Sequence, residues 1–242
     1  MVLPRRQLLR AAVFLGGGLA LAPQPAAAGR APLGARLAVC RPEGDPLQEL
    51  LRRNRAFSAA WQAAERSGDP VERAAELQHS WPLHCQVRPT ALAEGQRPWA
   101  AVLCCADSRV APEWIFSSGA GELFEVRCAG NTAFDEGVAS LEYAVEALEV
   151  PLILVMGHSG CGAVQAALGH RPLSPLQEEL VAPIRACLRP GDDLSRAVEA
   201  NALDTASRLT ARSALLRRAS ASGRLQIQSA VFDIGSGVVS LV

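Results

Sequence analysis

At 242 residues, 49% of them hydrophobic, the chain is long enough to build one globular domain with a substantial core. Its 24 basic and 24 acidic residues cancel, every basic residue is arginine, and no basic stripe stands out, which argues against nucleic acid as the main partner. The seven cysteines (Cys40, Cys85, Cys104, Cys105, Cys128, Cys161 and Cys187) lack the spacing of a small disulfide scaffold and read as a few ligands plus several small buried hydrophobes.

The chain opens on Arg5-Arg6-Gln7-Leu8-Leu9-Arg10, then an apolar run from Ala11 to Ala22, then Pro23, Pro25 and Ala26-Ala27-Ala28. A basic segment, an apolar segment and an Ala-x-Ala site in that order predict a signal peptide over 1–28 that is cleaved off. The arginine pair before Gln-Leu-Leu resembles a twin-arginine export signal, so the expected destination is the periplasm. The apolar run is too short for a comfortable membrane span, so no stable membrane insertion is expected after cleavage. Loss of 1–28 removes three arginines and leaves a net charge of −3.

Residues 29–45, rich in Gly, Pro and Ala, read as a linker to a single domain over 46–242. Leu47, Leu50, Leu51, Phe57, Ala60, Trp61 and Ala64 give Pro46 to Gly68 a helical spacing, and Val71 to Leu77 adds a second helix. This N-terminal arm precedes every strand and must pack on something, either a partner subunit or its own sheet. Pro98 to Cys105 is a continuous apolar run, the pattern of a parallel strand buried on both faces. Further strands are predicted over Glu122 to Ala129, Pro151 to Gly157 and Arg224 to Ile234, with a short last strand after the Gly235-Ser236-Gly237 turn. Helices are predicted over Glu136 to Glu149, from Gly160 to Leu168, and over most of Arg185 to Ser220. The expected fold is α/β: a central, mostly parallel sheet flanked by helices, with the helical arm at one end of the chain and an antiparallel edge strand at the other.

Two of the strands end in reactive groups. Ala101-Val102-Leu103-Cys104-Cys105 runs into Ala106-Asp107-Ser108-Arg109, and Leu152 to Met156 runs into Gly157-His158-Ser159-Gly160-Cys161-Gly162. Ligands in open parallel sheets bind beyond the carboxyl ends of strands. His158 and Cys161, three apart in a strand-to-helix turn, can reach one ion, and Cys105 supplies a third ligand. Two thiolates and one imidazole suit zinc and leave a fourth position open. Side chains alternate along a strand, so Cys104 and Cys105 point to opposite faces. The spacing Cys-x-Asp-x-Arg joins Cys105 to Asp107 and Arg109, and Cys104 then packs. Arg109 is placed to grip Asp107 with two hydrogen bonds and keep the carboxylate off the metal.

These two motifs, Cys105-Ala106-Asp107-Ser108-Arg109 and Gly157 to Gly162, resemble those of the β-class carbonic anhydrases, with agreement from about Gln96 to Leu168 and again at Ala230 to Gly237. The resemblance implies one zinc per chain on Cys105, His158 and Cys161, and an Asp107–Arg109 pair that gates the fourth position. It implies reversible hydration of carbon dioxide to bicarbonate and a proton by attack of zinc-bound hydroxide. Gln96, nine before Cys105, Phe124, and Tyr143, fifteen before His158, match family positions near the substrate pocket. Family members form dimers or higher homo-oligomers in which the N-terminal helices wrap the partner. Cys128 departs from the family, which usually has Asn at that position of the Arg127-Cys128-Ala129-Gly130-Asn131 segment. His170 and Tyr143 are the candidates for a proton shuttle. The rival readings are hydrolysis of carbonyl sulfide or carbon disulfide on the same scaffold, a non-catalytic zinc-binding subunit, and a thiol redox protein using Cys104 and Cys105.

Overall fold

The computed structural model describes residues 41–79 and 89–242. The predicted signal peptide, most of the predicted linker, Cys40 and Cys85 lie outside the described residues. Among the described residues no helix is long and apolar enough to cross a membrane.

The chain begins with α1 (Pro46–Arg66), α2 (Pro70–His79) and α3 (Pro89–Leu92), followed by β1 (Ala100–Cys105), α4 (Pro112–Ile115), β2 (Leu123–Cys128) and α5 (Asp135–Glu146). Next come β3 (Leu152–His158), α6 (Gly162–Leu168), α7 (Pro175–Cys187), α8 (Leu194–Arg212) and α9 (Ala214–Ala221), and β4 (Gln226–Phe232) and β5 (Val239–Leu241) close the fold. The five strands form one sheet in the order β2-β1-β3-β4-β5. All pairings are parallel except that of β4 with β5. The expected architecture is therefore found.

The helical expectation over Arg185 to Ser220 needs refinement. The helix begins earlier, at Pro175, where the Ser174 hydroxyl accepts from the Gln177 N–H and the Gln177 side chain accepts from the Ser174 N–H. This capping box and the Pro at the first helical position define a helix start. The Arg189-Pro190-Gly191 turn then separates α7 from α8. Two one-turn helices, α3 and α4, are too short to show a hydrophobic period.

The alternation along β1 and β3 splits the core by face. Ala100, Val102 and Cys104 join Leu152, Leu154 and Met156 in one cluster with Leu47, Leu50 and Phe57 of α1. Ala101 and Leu103 join Ile153 and Val155 in a second cluster with α5 and α9. A third cluster, with Val164, Val181, Ile184, Ala197 and Val198, contains Cys105 and Cys161.

Of the two seats open to the N-terminal arm, α1 takes its own sheet. Asp45 caps it by accepting from the N–H groups of Leu47 and Gln48. Asn54 donates to the Gly237 carbonyl at 2.9 Å and accepts from the Val239 N–H at 2.8 Å, which ties the helix to β5. Arg53 makes a buried ion pair with Glu122 at 3.0 Å and lies 5.0 Å from the centre of the Trp99 ring. Glu122, wholly buried, also accepts from Trp99 Nε1 and from the Gly119 N–H. By contrast α2 is almost entirely exposed, with Val71 at 77%.

Arg53→Ala would leave Glu122 as an uncompensated buried charge, so it should cost on the order of 3–5 kcal/mol. Urea denaturation at fixed protein concentration measures this, and a loss below about 1 kcal/mol, the range of an exposed pair, would show that the ion pair does not anchor α1.

Candidate metal centre

The chain reverses its direction of winding at β1, which has β2 on one side and β3 on the other. Open parallel sheets form a crevice at such a point, beyond the carboxyl ends of the strands. Cys105 is the last residue of β1 and His158 the last of β3. Cys161 precedes the first residue of α6. Donor atoms of Cys105, His158 and Cys161 all lie within 4.8 Å of one another, and all three residues are buried. The two sulfurs are 3.9 Å apart.

Local packing dictates much of this. Gly157 sits where β3 presses on α8: a Cβ there would lie 2.9 Å from Val198 Cγ1. Ser159, two residues on, is held by two bonds, since its N–H donates to the carbonyl of Phe232 at the end of β4 and its hydroxyl accepts from the Ile234 N–H just beyond that strand. His158 Nδ1 lies 3.0 Å from the Ser159 carbonyl. A carbonyl only accepts, so Nδ1 carries the proton and Nε2 offers its lone pair. Among the described residues Nε2 is buried without a hydrogen-bond partner. An orphaned imidazole nitrogen facing two thiols is the donor set of a soft or borderline divalent cation, so the residues present fit a metal.

The thiols are unlike one another. Cys105 is held well below the ordinary thiol range, first by the hydrogen bond from the Cys161 thiol and also by the Gly130 N–H, against the cost of burial. Cys161 is pushed up by the same sulfur–sulfur contact and by burial. Without a cation the pair therefore keeps one proton at neutral pH.

Asp107 stands at the mouth of the cluster, its Oδ2 3.9 Å from His158 Nε2. Arg109 grips it bidentately, Nε to Oδ1 at 2.9 Å and Nη2 to Oδ2 at 2.7 Å, and the Arg109 N–H adds a third bond at 2.9 Å. The guanidinium holds the carboxyl far below its usual range. The Arg109 head is also 3.4 Å from the Gly160 carbonyl, so it spans both loops. Arg127, not singled out from sequence, braces the same loop from β2 by donating to the carbonyls of Cys105, Asp107 and Val110 at 3.2, 2.9 and 2.6 Å.

Gln96, Phe124 and Tyr143 are not part of this grouping within one chain. Gln96 is exposed and precedes β1 at the end remote from Cys105. Phe124 pairs with Ala101, four residues back along β2 from Cys128, the partner of Cys105; four residues of strand are about 13 Å. Tyr143, half exposed on α5, packs on Phe124 with ring centres 6.3 Å apart. His170 is exposed beyond the end of α6. Cys104 lies in the α1-side cluster and Cys105 in the metal-side cluster, a poor arrangement for a dithiol. The Cys128 thiol contacts the Thr132 carbonyl and hydroxyl at 3.6 Å, and burial raises its pKa.

Residues 100–239 match a family model described as carbonic anhydrase. Carbonic anhydrase 2 of Mycobacterium tuberculosis is 39% identical over 189 residues, which is 74% of this chain and 89% of that protein. Among solved structures, the β-carbonic anhydrase CafA of Aspergillus fumigatus superimposes with a TM-score of 0.59 at 27% identity, covering 77% of this chain and 90% of that one. One of two tetrameric β-carbonic anhydrases of Sordaria macrospora gives a TM-score of 0.56 at 25% identity, covering 63% and 84%.

Because the Cys161 thiol is pushed up, a cation that takes both sulfurs must expel the shared proton. Zinc affinity should therefore fall about tenfold for each unit of pH lost between neutrality and mild acid, one proton released per ion. Chelator competition across that range checks it; a flat profile would mean that the thiols are not both ligands.

Proposed function

The chain belongs to the β-class carbonic anhydrases, and on that premise we propose that it hydrates carbon dioxide reversibly, with one zinc ion held by Cys105, His158 and Cys161. The observation that carries this reading is the convergence of three buried donors, one of them the orphaned His158 Nε2, beside an Asp107 carboxylate already engaged by Arg109.

Zinc, when bound, acidifies a coordinated water so that hydroxide is available near neutral pH, a property for which carbonic anhydrase is itself the standing example. The rest is done by the chain. Asp107, held ionised by Arg109, can only accept hydrogen bonds, so its Oδ atoms would orient a hydroxyl group beside them by taking its proton in a hydrogen bond. Arg109 keeps Asp107 in that accepting role by occupying both carboxylate oxygens, one through Nε and one through Nη2. Arg127 holds the loop between Cys105 and Val110 by its carbonyls, so Asp107 cannot drift inward without breaking those bonds.

Carbon dioxide is apolar and needs an apolar wall, with few groups to orient it. We assign that wall to Phe124 and Tyr143, with Gln96 as the polar contact, supplied by a second copy of the chain across a homodimer interface. The separation of about 13 Å along β2 within one chain supports a second copy as the source. The half-exposed Tyr143 beside Phe124 offers a surface for such a contact. Export through the twin-arginine route to the periplasm, on the Arg5-Arg6 segment, completes the proposal.

Stopped-flow hydration of carbon dioxide on the zinc-loaded chain, at neutral and at mildly alkaline pH, tests the reading. Wild type should be active and Cys161→Ser should lose both zinc and activity; a wild type with one zinc per chain and no hydration at either pH would falsify it. Arg109→Ala frees Asp107 to compete for the metal, so activity at neutral pH should fall at least about tenfold and recover in part as hydroxide rises. Sedimentation should find no stable monomer. An Arg5-Arg6→Lys-Lys change should abolish periplasmic delivery; undiminished delivery would exclude the twin-arginine route.

A further inference from the structure

The turn from Cys128 to Asn131 leads out of β2 and carries the N–H group that meets the Cys105 sulfur, Gly130 N to Sγ at 3.3 Å. Its backbone is unusual. Gly130 has φ +82° and Asn131 φ +46°, two left-handed residues in succession. A side chain at 130 would also collide, since a Cβ would lie 2.7 Å from Ile184 Cδ1. Asn131 follows it into the left-handed region, which asparagine enters more readily than other side chains but which is fixed more firmly where the surroundings over-determine it.

What over-determines it comes from α8, seventy residues later. Asn201 Nδ2 donates to the Gly130 carbonyl at 2.7 Å and lies 3.4 Å from Asn131 Oδ1. Asn201 is 1% exposed and shares its helix face with Ala197, Val198, Ala202 and Thr205. An amide among small apolar residues at core spacing is costly unless its donors are used, and here the donor is used on this turn.

We propose that Asn201 is a positioning residue for the metal centre. By holding the Gly130 carbonyl it fixes the left-handed turn and aims the Gly130 N–H at Cys105 Sγ. A donor aimed at a thiolate draws charge from the sulfur and sets the direction of its remaining lone pairs, so it tunes what the sulfur offers a cation. Asn201 touches neither the metal position nor the substrate. The inference rests on the reading of Cys105, His158 and Cys161 as metal ligands.

The test uses the full chain loaded with cobalt(II), whose thiolate-to-metal absorption reports on the sulfurs, together with zinc affinity by chelator competition. Asn201→Ala should displace the absorption band and weaken zinc about tenfold. Asn201→Ser, which keeps a shorter donor, should fall between wild type and alanine and serves if the alanine variant does not fold. The comparison is Ser229→Ala, which removes a different buried hydrogen bond to the same helix, Ser229 Oγ to the Ala202 carbonyl at 3.2 Å. It should lower the melting temperature and leave the band and the affinity as in wild type. A folded Asn201 variant whose band and zinc affinity match wild type overturns the inference, whatever its melting temperature. A wild-type chain that binds no cobalt fails at the earlier step, and the metal reading falls with everything built on it.

Discussion

Parallel pairing of β1 with β3 is the constraint from which the metal centre follows. Ala101 to Cys104 lie opposite Ile153 to Met156, so the two strands end almost level, Cys105 on one and His158 on the other. Both strands are buried along their whole length, and their registers are fixed by clusters on both faces. A slip of one residue would exchange Cys104 for Cys105 and turn the ligand thiol into the α1 layer. The position of one sulfur is thus set by some dozen apolar side chains that have no chemistry of their own.

The charged groups are arranged around that sulfur at graded depth. Cys105 and Cys161 lie in an apolar cluster with Val164, Val181, Ile184, Ala197 and Val198, where a charge is strongly felt. Asp107 is nearer the surface, and the Arg109 head is mostly in solvent. Arg127 approaches the same loop through three carbonyls and no carboxylate of it, a geometric brace rather than a charge partner. The Gly130 N–H completes the set from the turn that follows β2. Negative donors are buried and their positive partners are peripheral, which leaves the interior short of positive charge where a divalent cation would supply it.

How much of this could be read from sequence depends on what carried each element. The buried strands were legible because runs such as Ala101-Val102-Leu103 and Ile153-Leu154-Val155 have no polar interruption, and the ligands because they follow those runs at once. Period-two alternation separated Cys104 from Cys105. The start of α7 is stated by Ser174, Pro175 and Gln177, but Pro183 inside the helix breaks the pattern that a helical reading relies on. The side on which α1 packs was not legible, since an amphipathic helix looks the same on its own sheet or a partner's; Asn54 and Arg53 decide it through bonds to residues 61 to 185 positions away. Asn201 was invisible for a related reason. Its partner is a carbonyl in a distant turn, and the only local sign was an amide at a core position of a helix.

The sheet also divides the chromophores. The three described tryptophans, Trp61, Trp99 and Trp114, all belong to the layer of α1, where Phe57 and Trp114 pack on Trp61 with ring centres 5.5 and 5.0 Å away. The single tyrosine, Tyr143, lies in the opposite layer against Phe124. Emission from those tryptophans therefore watches the undocking of the N-terminal helix, while tyrosine emission and any thiolate-to-metal absorption watch the other side of the same five strands. Among the described residues each layer thus carries its own optical gauge, and the delay between the two measures how rigidly the sheet couples its two faces.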